Sequence, residues 1–157
     1  MAGHSNGCMM SFAMGMKQSD MVAAVCCHSG VLMSNPSDDY DPRPTWFVHG
    51  EKDDVLPYDG LENYDGTGTY MPGAQEAFDY LSDLNGCSIN STTDFDGGYT
   101  QDAWNCTNGA NVTLMTLTDA EHSPYIFYRE TEIDTTLAAW EFCSGFELSE
   151  EPELDDF

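Results

Sequence analysis

The pentapeptide Gly3-His4-Ser5-Asn6-Gly7 constrains this chain more than any other stretch. Two glycines bracket a serine in a Gly-x-Ser-x-Gly pattern, and their missing Cβ atoms allow the backbone to turn sharply from a strand into a helix. Such a turn, called a nucleophile elbow, holds the serine hydroxyl out of the fold, where a substrate can reach it. The pattern therefore predicts Ser5 as a nucleophile at the start of a helix, with the Asn6 N–H as an oxyanion-hole donor.

Two loops that follow apolar segments contain the partners that a nucleophilic serine needs. Trp46-Phe47-Val48 precedes a loop that contains Asp53, and the β-rich segment 112–117 runs into a loop that contains His122. The chain order Ser, Asp, His, with the acid and the base just beyond strand ends, is that of α/β-hydrolases. We therefore predict that His122 is the general base and that Asp53 orients it. Asp54 is the competing acid, because it directly follows Asp53.

The residues around these three positions resemble those of a known family. It comprises secreted esterases, among them polyhydroxybutyrate depolymerases and feruloyl and acetylxylan esterases. The resemblance runs from Gly3 to about Phe142. It is carried by G-H-S-N-G-C-M-M at the elbow, A-A-V after it, H-G-x-x-D-x-V-x-P-Y-D-G around Asp53, and L-N-G-C at 84–87.

This resemblance implies a fold and an activity. The fold would be an α/β-hydrolase in three layers with a mostly parallel sheet, and Ser5, Asp53 and His122 would be the triad of a serine esterase. The family usually has His-Thr-Trp-Pro at the base, whereas this chain has His122-Ser123-Pro124. The missing tryptophan leaves the substrate preference open.

Only Met1-Ala2 precede the elbow, which is less chain than this fold requires. Members of the family have several strands and helices before the elbow, and a loop there usually supplies the second oxyanion donor. We therefore expect residues 1–146 to be the C-terminal portion of an α/β-hydrolase domain, truncated before the nucleophile strand. A missing N-terminal segment or another chain would complete it. Residues 147–157 are predicted to be a disordered acidic tail.

The charge of the chain excludes several classes of partner. There are 28 acidic side chains against 4 lysines and arginines, which gives a formal net charge of −24. Such a surface repels phosphate backbones and anionic lipid, so we expect neither nucleic-acid binding nor membrane anchoring. The expected partner is a neutral ester, either a small molecule or a polymer.

We predict no metal and no other cofactor. The six cysteines lack the C-x-x-C spacing of a structural zinc site. The stretch 63–68 imitates the start of a calcium-binding loop, but Ala74 occupies the position of the bidentate glutamate.

Cysteines and glycosylation sequons favour a secreted protein in an oxidising environment. The three sequons begin at Asn90, Asn105 and Asn111. Cys87 and Cys106 bracket a polar, turn-rich segment that we expect their disulfide to close.

The other cysteines leave alternatives open. Cys26 and Cys27 are adjacent and cannot both face one neighbour. Either at least one of them is a buried free thiol, or one pairs with Cys8 across the elbow helix.

Hydrophobic spacing predicts the remaining elements. An apolar helix is expected at 6–16 and a buried strand at 21–27. An amphipathic helix is expected to start at Pro72, to carry apolar residues at three-and-four spacing from Ala74 to Leu84, and to end at Gly86. A terminal helix would begin at a capping box, Thr131-x-x-Asp134. Its inward stripe would consist of Ile133, Leu137 and Trp140.

Three histidines are interpreted as structural. His4 and His49 lie inside motifs and not at the position of the base, and His28 lies at a strand end, where a histidine is usually a hydrogen-bonded structural residue. The two acids beside the base, Asp119 and Glu121, are interpreted as exposed bystanders.

Three functions remain open at this stage. The first is a serine carboxylic-ester hydrolase that acts through an acyl-enzyme on polysaccharide-linked acetyl or feruloyl groups or on polyhydroxyalkanoate. The second is a non-catalytic fragment of such a hydrolase, and the third is a serine peptidase with the same triad.

Overall fold

One six-stranded sheet organises the fold. The computed structural model describes residues 1–63, 65–124 and 133–148. Within them the strands are β1 (Ala2–His4), β2 (Val25–His28), β3 (Thr45–Gly50), β4 (Ile89–Phe95), β5 (Gly98–Trp104) and β6 (Val112–Leu117). Their spatial order is β1-β2-β3-β6-β5-β4. The first four in that order pair in parallel, whereas β5 and β4 are antiparallel additions at the far side.

Helices cover both faces of this sheet. They are α1 (Asn6–Lys17), α2 (Ala74–Leu84) and α3 (Thr135–Cys143). Successive side chains of a strand point to opposite faces, so Phe47 of β3 packs in the cluster that includes α1 and α2, while Trp46 packs against α3. The result is an α/β fold in three layers, with α1 and α2 on one face and α3 on the other.

The strand before the elbow is present, which corrects one expectation. Ala2–His4 form β1 at the edge of the sheet, where each residue pairs in parallel with a residue of β2. The expectation of a chain without this strand was wrong for these three residues. Pairing along a single neighbour is enough to place them in the sheet.

Two other segments differ from their predictions. The strand expected at 21–27 begins only at Val25, because Ser19–Met21 form a 3₁₀ turn that leads the chain from α1 into the sheet. The segment between Cys87 and Cys106, expected to be a turn-rich excursion, is the hairpin β4–β5.

Helix α3 turns a different face to the core than we predicted. Leu137 is 51% exposed and Trp140 68% exposed, whereas Thr135 and Ala139 are buried. The small side chain of Ala139 lets the helix approach the sheet closely, and a disulfide at its last residue holds that face inward. Asp134 caps the helix by accepting hydrogen bonds from the N–H groups of residues 136 and 137. Thr131 of the predicted capping box and residues 149–157 of the predicted tail lie outside the described residues.

All six cysteines form disulfides. The predicted Cys87–Cys106 bond is present, and the other two are Cys8–Cys27 and Cys26–Cys143. Of the alternatives for the adjacent cysteines, the free thiol is therefore wrong and the pairing with Cys8 is confirmed. Three disulfides in a chain of this size indicate an oxidising environment.

No helix in the described part of the chain is long and apolar enough to cross a bilayer.

The disulfides differ in the length of chain that they close, which predicts their contributions to stability. We expect Cys26→Ala/Cys143→Ala, which opens a separation of 117 residues, to lower the free energy of unfolding by about 5 kcal/mol. Cys87→Ala/Cys106→Ala opens a separation of only 19 residues and should cost about 3 kcal/mol. Urea unfolding measures both. The Cys8–Cys27 bond has the same separation of 19 but is fully buried, so comparing it with Cys87–Cys106 shows how much burial contributes. Equal losses of unfolding free energy for all three pairs would contradict the prediction.

Candidate active site

Ser5 occupies a strained turn between β1 and α1. Its backbone has φ 54° and ψ −121°, a conformation that L-residues rarely adopt. Two backbone hydrogen bonds hold it there: the Ser5 N–H donates to the His28 carbonyl at 2.9 Å, and the Met9 N–H donates to the Ser5 carbonyl at 3.0 Å. The Ser5 side chain makes no capping bond to α1, so its hydroxyl is available to another partner.

Gly3 is required by a close approach of two backbone segments. A Cβ at Gly3 would lie 2.2 Å from the carbonyl carbon of Gly7, whereas a Cβ at Gly7 would meet nothing within 4 Å. The first glycine of the pattern therefore lets the strand pass against the first turn of α1, and this contact sets the sharpness of the elbow.

His122 contacts the Ser5 hydroxyl from the loop after β6. Its Nε2 lies 3.0 Å from Ser5 Oγ, although the two residues are 117 positions apart in the chain. The other ring nitrogen, Nδ1, lies 2.7 Å from Asp53 Oδ2. Because a carboxylate only accepts, Nδ1 carries the hydrogen and Nε2 is left to accept from the serine hydroxyl.

Asp53 is the carboxyl group that faces the His122 ring. Its side chain is fully buried, and its Oδ1 accepts from the N–H groups of Val55 at 3.0 Å and Leu56 at 2.8 Å. Asp54, the competing acid, is exposed. The structure thus brings together the three residues that the sequence singled out, in the contact order Ser5, His122, Asp53.

Hydrogen bonding keeps Asp53 ionised. Burial by itself would raise the pKa of this carboxyl group, but hydrogen bonds from His49, the Leu56 N–H and His122 outweigh it and hold the pKa at about 2. A carboxylate that stays ionised can both fix the orientation of His122 and stabilise a positive charge on its ring.

Loop contacts that the sequence did not predict hold the base in place. The Ser29 hydroxyl, at the end of β2, donates to the carbonyl of Ser123 at 2.7 Å. The Lys52 N–H donates to the carbonyl of Ala120 at 3.0 Å, and a Cβ at Gly50 would lie 2.2 Å from that same oxygen. The acid loop and the base loop therefore pack backbone to backbone, a contact that no local sequence pattern indicates.

Asn6 directly follows Ser5, the predicted nucleophile. It is the first residue of α1 and is exposed. The first N–H groups of a helix have no acceptor within the helix, and the helix dipole favours negative charge near them. The Asn6 N–H therefore stays the predicted oxyanion donor.

The other charged and aromatic groups around the His122 ring lie outside the contacts that join Ser5, His122 and Asp53. Asp119 pairs with Lys52 at 2.5 Å, and both side chains are well exposed, so this ion pair contributes little to stability. Glu121 is exposed. The ring of His4 lies 5.1 Å from that of His122, and burial lowers the pKa of His4, assisted by the nearby His122.

The remaining predicted positions lie away from this site. Asn90 and Asn105 are exposed and Asn111 is half-buried, all on or beside the β4–β5 hairpin. In the loop that imitates a calcium site, Asp65 accepts hydrogen bonds from the hydroxyls of Thr67 and Thr69. Among the described residues no group of three His, Cys, Asp or Glu side chains is arranged to hold a metal ion.

The two elbow glycines give a matched pair of variants. Gly3→Ala should lower the free energy of unfolding by several kcal/mol, on the order of 3 kcal/mol, because its Cβ has to displace backbone atoms of α1. Gly7→Ala has open space and gains helix propensity, so we expect it to be neutral or up to about 1 kcal/mol more stable. Urea unfolding decides, and an equal loss for both variants would refute the close-approach argument.

The lowered pKa of Asp53 predicts how stability depends on pH. The folded value of about 2 lies below the ordinary 3.8, so the carboxylate stabilises the fold above pH 4 and this contribution disappears as the pH falls from 4 towards 2. The difference corresponds to about 2 kcal/mol. The free-energy gap between the wild type and Asp53→Asn should therefore shrink by about that amount between pH 5.5 and pH 2.5. Urea unfolding at each pH measures the gap, with Asp54→Asn as the control; a gap independent of pH would contradict the assignment.

Comparison with known proteins adds no identification. No protein-family model matches the sequence, and no curated protein is significantly similar to it.

Proposed function

We propose that this chain is a serine carboxylic-ester hydrolase with an α/β-hydrolase fold. The observation that carries the proposal is the continuous contact from Ser5 Oγ to His122 Nε2 at 3.0 Å and from His122 Nδ1 to Asp53 Oδ2 at 2.7 Å. Three side chains in these roles, on a nucleophile elbow and on two strand-end loops, are what the hydrolysis of an ester by an acyl-enzyme requires.

The geometry supports a two-step reaction. His122 Nε2 takes the proton of the Ser5 hydroxyl as Ser5 Oγ attacks the ester carbonyl carbon. The tetrahedral intermediate then collapses, the carbon–oxygen bond to the alcohol breaks, and His122 returns the proton to the leaving alkoxide. Water attacks the acyl-enzyme in the same manner, with His122 again as the base, and releases the acid and the free Ser5 hydroxyl.

Two groups with fixed positions assist these steps, one a carboxylate and the other a backbone N–H at a helix N-terminus. The Asp53 carboxylate holds the Nδ1–H tautomer of His122 and stabilises the imidazolium that forms when the serine proton is transferred. The Asn6 N–H and the positive end of α1, which begins directly after Ser5, would stabilise the oxygen that becomes negative in the tetrahedral intermediate. Each donor lost from such a site typically costs about 10²- to 10³-fold in rate.

The charge around the site favours a neutral ester. Exposed carboxylates lie on both loops of the triad, namely Glu51, Asp54, Asp119 and Glu121. They would repel an anionic acyl group. Acetyl or feruloyl groups on a polysaccharide, or a polyhydroxyalkanoate, satisfy this condition. Three disulfides and three sequons are compatible with action outside the cell.

Covalent labelling of the serine tests the proposal. A fluorophosphonate probe should add one adduct to the intact mass of the wild type and none to Ser5→Ala. We expect His122→Ala to slow labelling by about 10²- to 10⁴-fold, since it removes the general base. Ser91→Ala, a change at an exposed serine on β4, is the control and should be labelled like the wild type.

The outcome separates the three functions. Labelling that depends on Ser5 and His122, with turnover of neutral esters well above that of matched amides, supports the esterase. Faster turnover of amides would replace it with a peptidase. Equal labelling of the wild type and Ser5→Ala would leave the chain without an activated nucleophile.

A further inference from the structure

His49 is a fully buried histidine that the proposed reaction steps do not use. It lies in β3, one residue before the strand ends, and its side chain has no exposed surface. The ring of Tyr58 lies edge-on to it, with 5.9 Å between the ring centroids. The role of this buried imidazole beside Asp53 depends on what its two ring nitrogens contact.

The contacts of Nε2 fix the tautomer of His49. This atom lies 2.8 Å from the Leu56 carbonyl oxygen and 3.3 Å from Asp53 Oδ2. Both partners accept hydrogen bonds and neither can donate, so Nε2 carries the hydrogen and donates a three-centre bond. Nδ1 has no hydrogen-bond partner in the described part of the chain.

With His49, the Asp53 carboxylate receives a full set of donors. Oδ1 accepts from the N–H groups of Val55 and Leu56, and Oδ2 accepts from His122 at 2.7 Å and His49 at 3.3 Å. Two carboxylate oxygens offer about four lone-pair sites. Each site is occupied by a donor from a different residue, so rotation of the carboxyl group would break several hydrogen bonds at once.

We propose that His49 is the positioning residue of this site, a fourth member that holds the Asp53 carboxylate in the orientation His122 needs. The proposal rests on the proposed function, since Asp53 matters for catalysis only if Ser5 is the nucleophile. His49 acts through Asp53 and His122: its buried ring reaches neither Ser5 nor a substrate.

His49 also connects the orientation of the acid to the loop that carries it. Its one hydrogen bridges the Leu56 carbonyl and Asp53 Oδ2, and the Leu56 N–H donates to Asp53 Oδ1. The Asp53 carboxyl group is therefore linked to Leu56 twice, directly through Oδ1 and by way of the His49 ring through Oδ2. Removal of the imidazole would leave a buried carbonyl and a buried carboxylate oxygen each short of a donor, which is costly for both.

Two variants of His49 separate positioning from packing. His49→Leu fills similar space but has no donor. His49→Gln places two amide hydrogens near the position of Nε2 and can donate to both Leu56 and Asp53. His28→Leu is the matched control, because His28 also lies near the carboxyl end of a parallel strand. Its Nε2 contacts the Thr135 carbonyl at 3.3 Å and has no contact with Asp53 among the described residues.

The primary readout is the titration of the Asp53 carboxyl carbon by ¹³C NMR in the full chain. The titratable side chains that contact this carboxyl group are His49 and His122. His4 lies against the His122 ring at 5.1 Å and interacts with the charge of Asp53, and Tyr58 lies against the His49 ring. We expect the Asp53 midpoint to rise by about one pH unit in His49→Leu, a tenfold change in proton affinity. It should stay at the wild-type value in His28→Leu and close to it in His49→Gln.

The rate of labelling by the fluorophosphonate probe is the second readout. We expect it to fall about 10- to 100-fold in His49→Leu, since a displaced acid misplaces the base. His49→Gln should restore it to within about threefold of the wild type. A wild-type Asp53 midpoint in His49→Leu, or labelling as slow in His49→Gln as in His49→Leu, would overturn the proposal.

A measurement on the unmodified chain decides the matter if His49→Leu does not fold. ¹⁵N NMR should show the Nε2–H tautomer of His49, and an Nδ1–H tautomer would rule out donation to Asp53. This result does not depend on the proposed function. If the wild type is not labelled at Ser5, the esterase fails, while the Asp53 midpoint and the His49 tautomer still show whether His49 holds the carboxylate.

Discussion

Parallel pairing of β1, β2, β3 and β6 is the constraint on which the site depends. The carboxyl ends of parallel strands meet at one edge of a sheet, so the residues that follow these strands become neighbours although the chain separates them widely. Ser5 follows β1 and Ser29 follows β2, while Asp53 and His122 lie in the loops after β3 and β6. Each strand delivers one group to the same edge, and the hairpin β4–β5 extends the sheet on the far side without entering the site.

Features with a strong local signal could be predicted from the sequence. The elbow pattern placed Ser5 at the start of a helix, and apolar spacing located α2 and gave the bounds of β6. The order of the triad predicted which loops would meet. The choice of Asp53 over Asp54 came from a resemblance, and the physical difference between these neighbours, one buried and one exposed, exists only in three dimensions.

The failures have physical causes that a linear pattern does not contain. Strand β4 is exposed along almost its whole length, so it lacks the alternation of buried and exposed residues that identifies a strand. In α3 the large apolar residues Leu137 and Trp140 suggested the buried face, but Ala139 and the disulfide at Cys143 determine it. The role of His49 depends on a contact distance, and its sequence context could only indicate a structural histidine.

The two adjacent cysteines of β2 connect the sheet covalently to a helix on each of its faces. Cys27 is joined to Cys8 of α1 on one face of the sheet, and Cys26 is joined to Cys143 of α3 on the other. Because neighbouring side chains of a strand point in opposite directions, a slip of β2 by one residue would exchange the faces of these two sulfur atoms. Each would then point away from its partner. The two disulfides therefore fix the register of β2 covalently. Once both have formed, β2 cannot shift along its neighbours. The His28 carbonyl then stays next to the Ser5 N–H, whose hydrogen bond holds Ser5 in its turn.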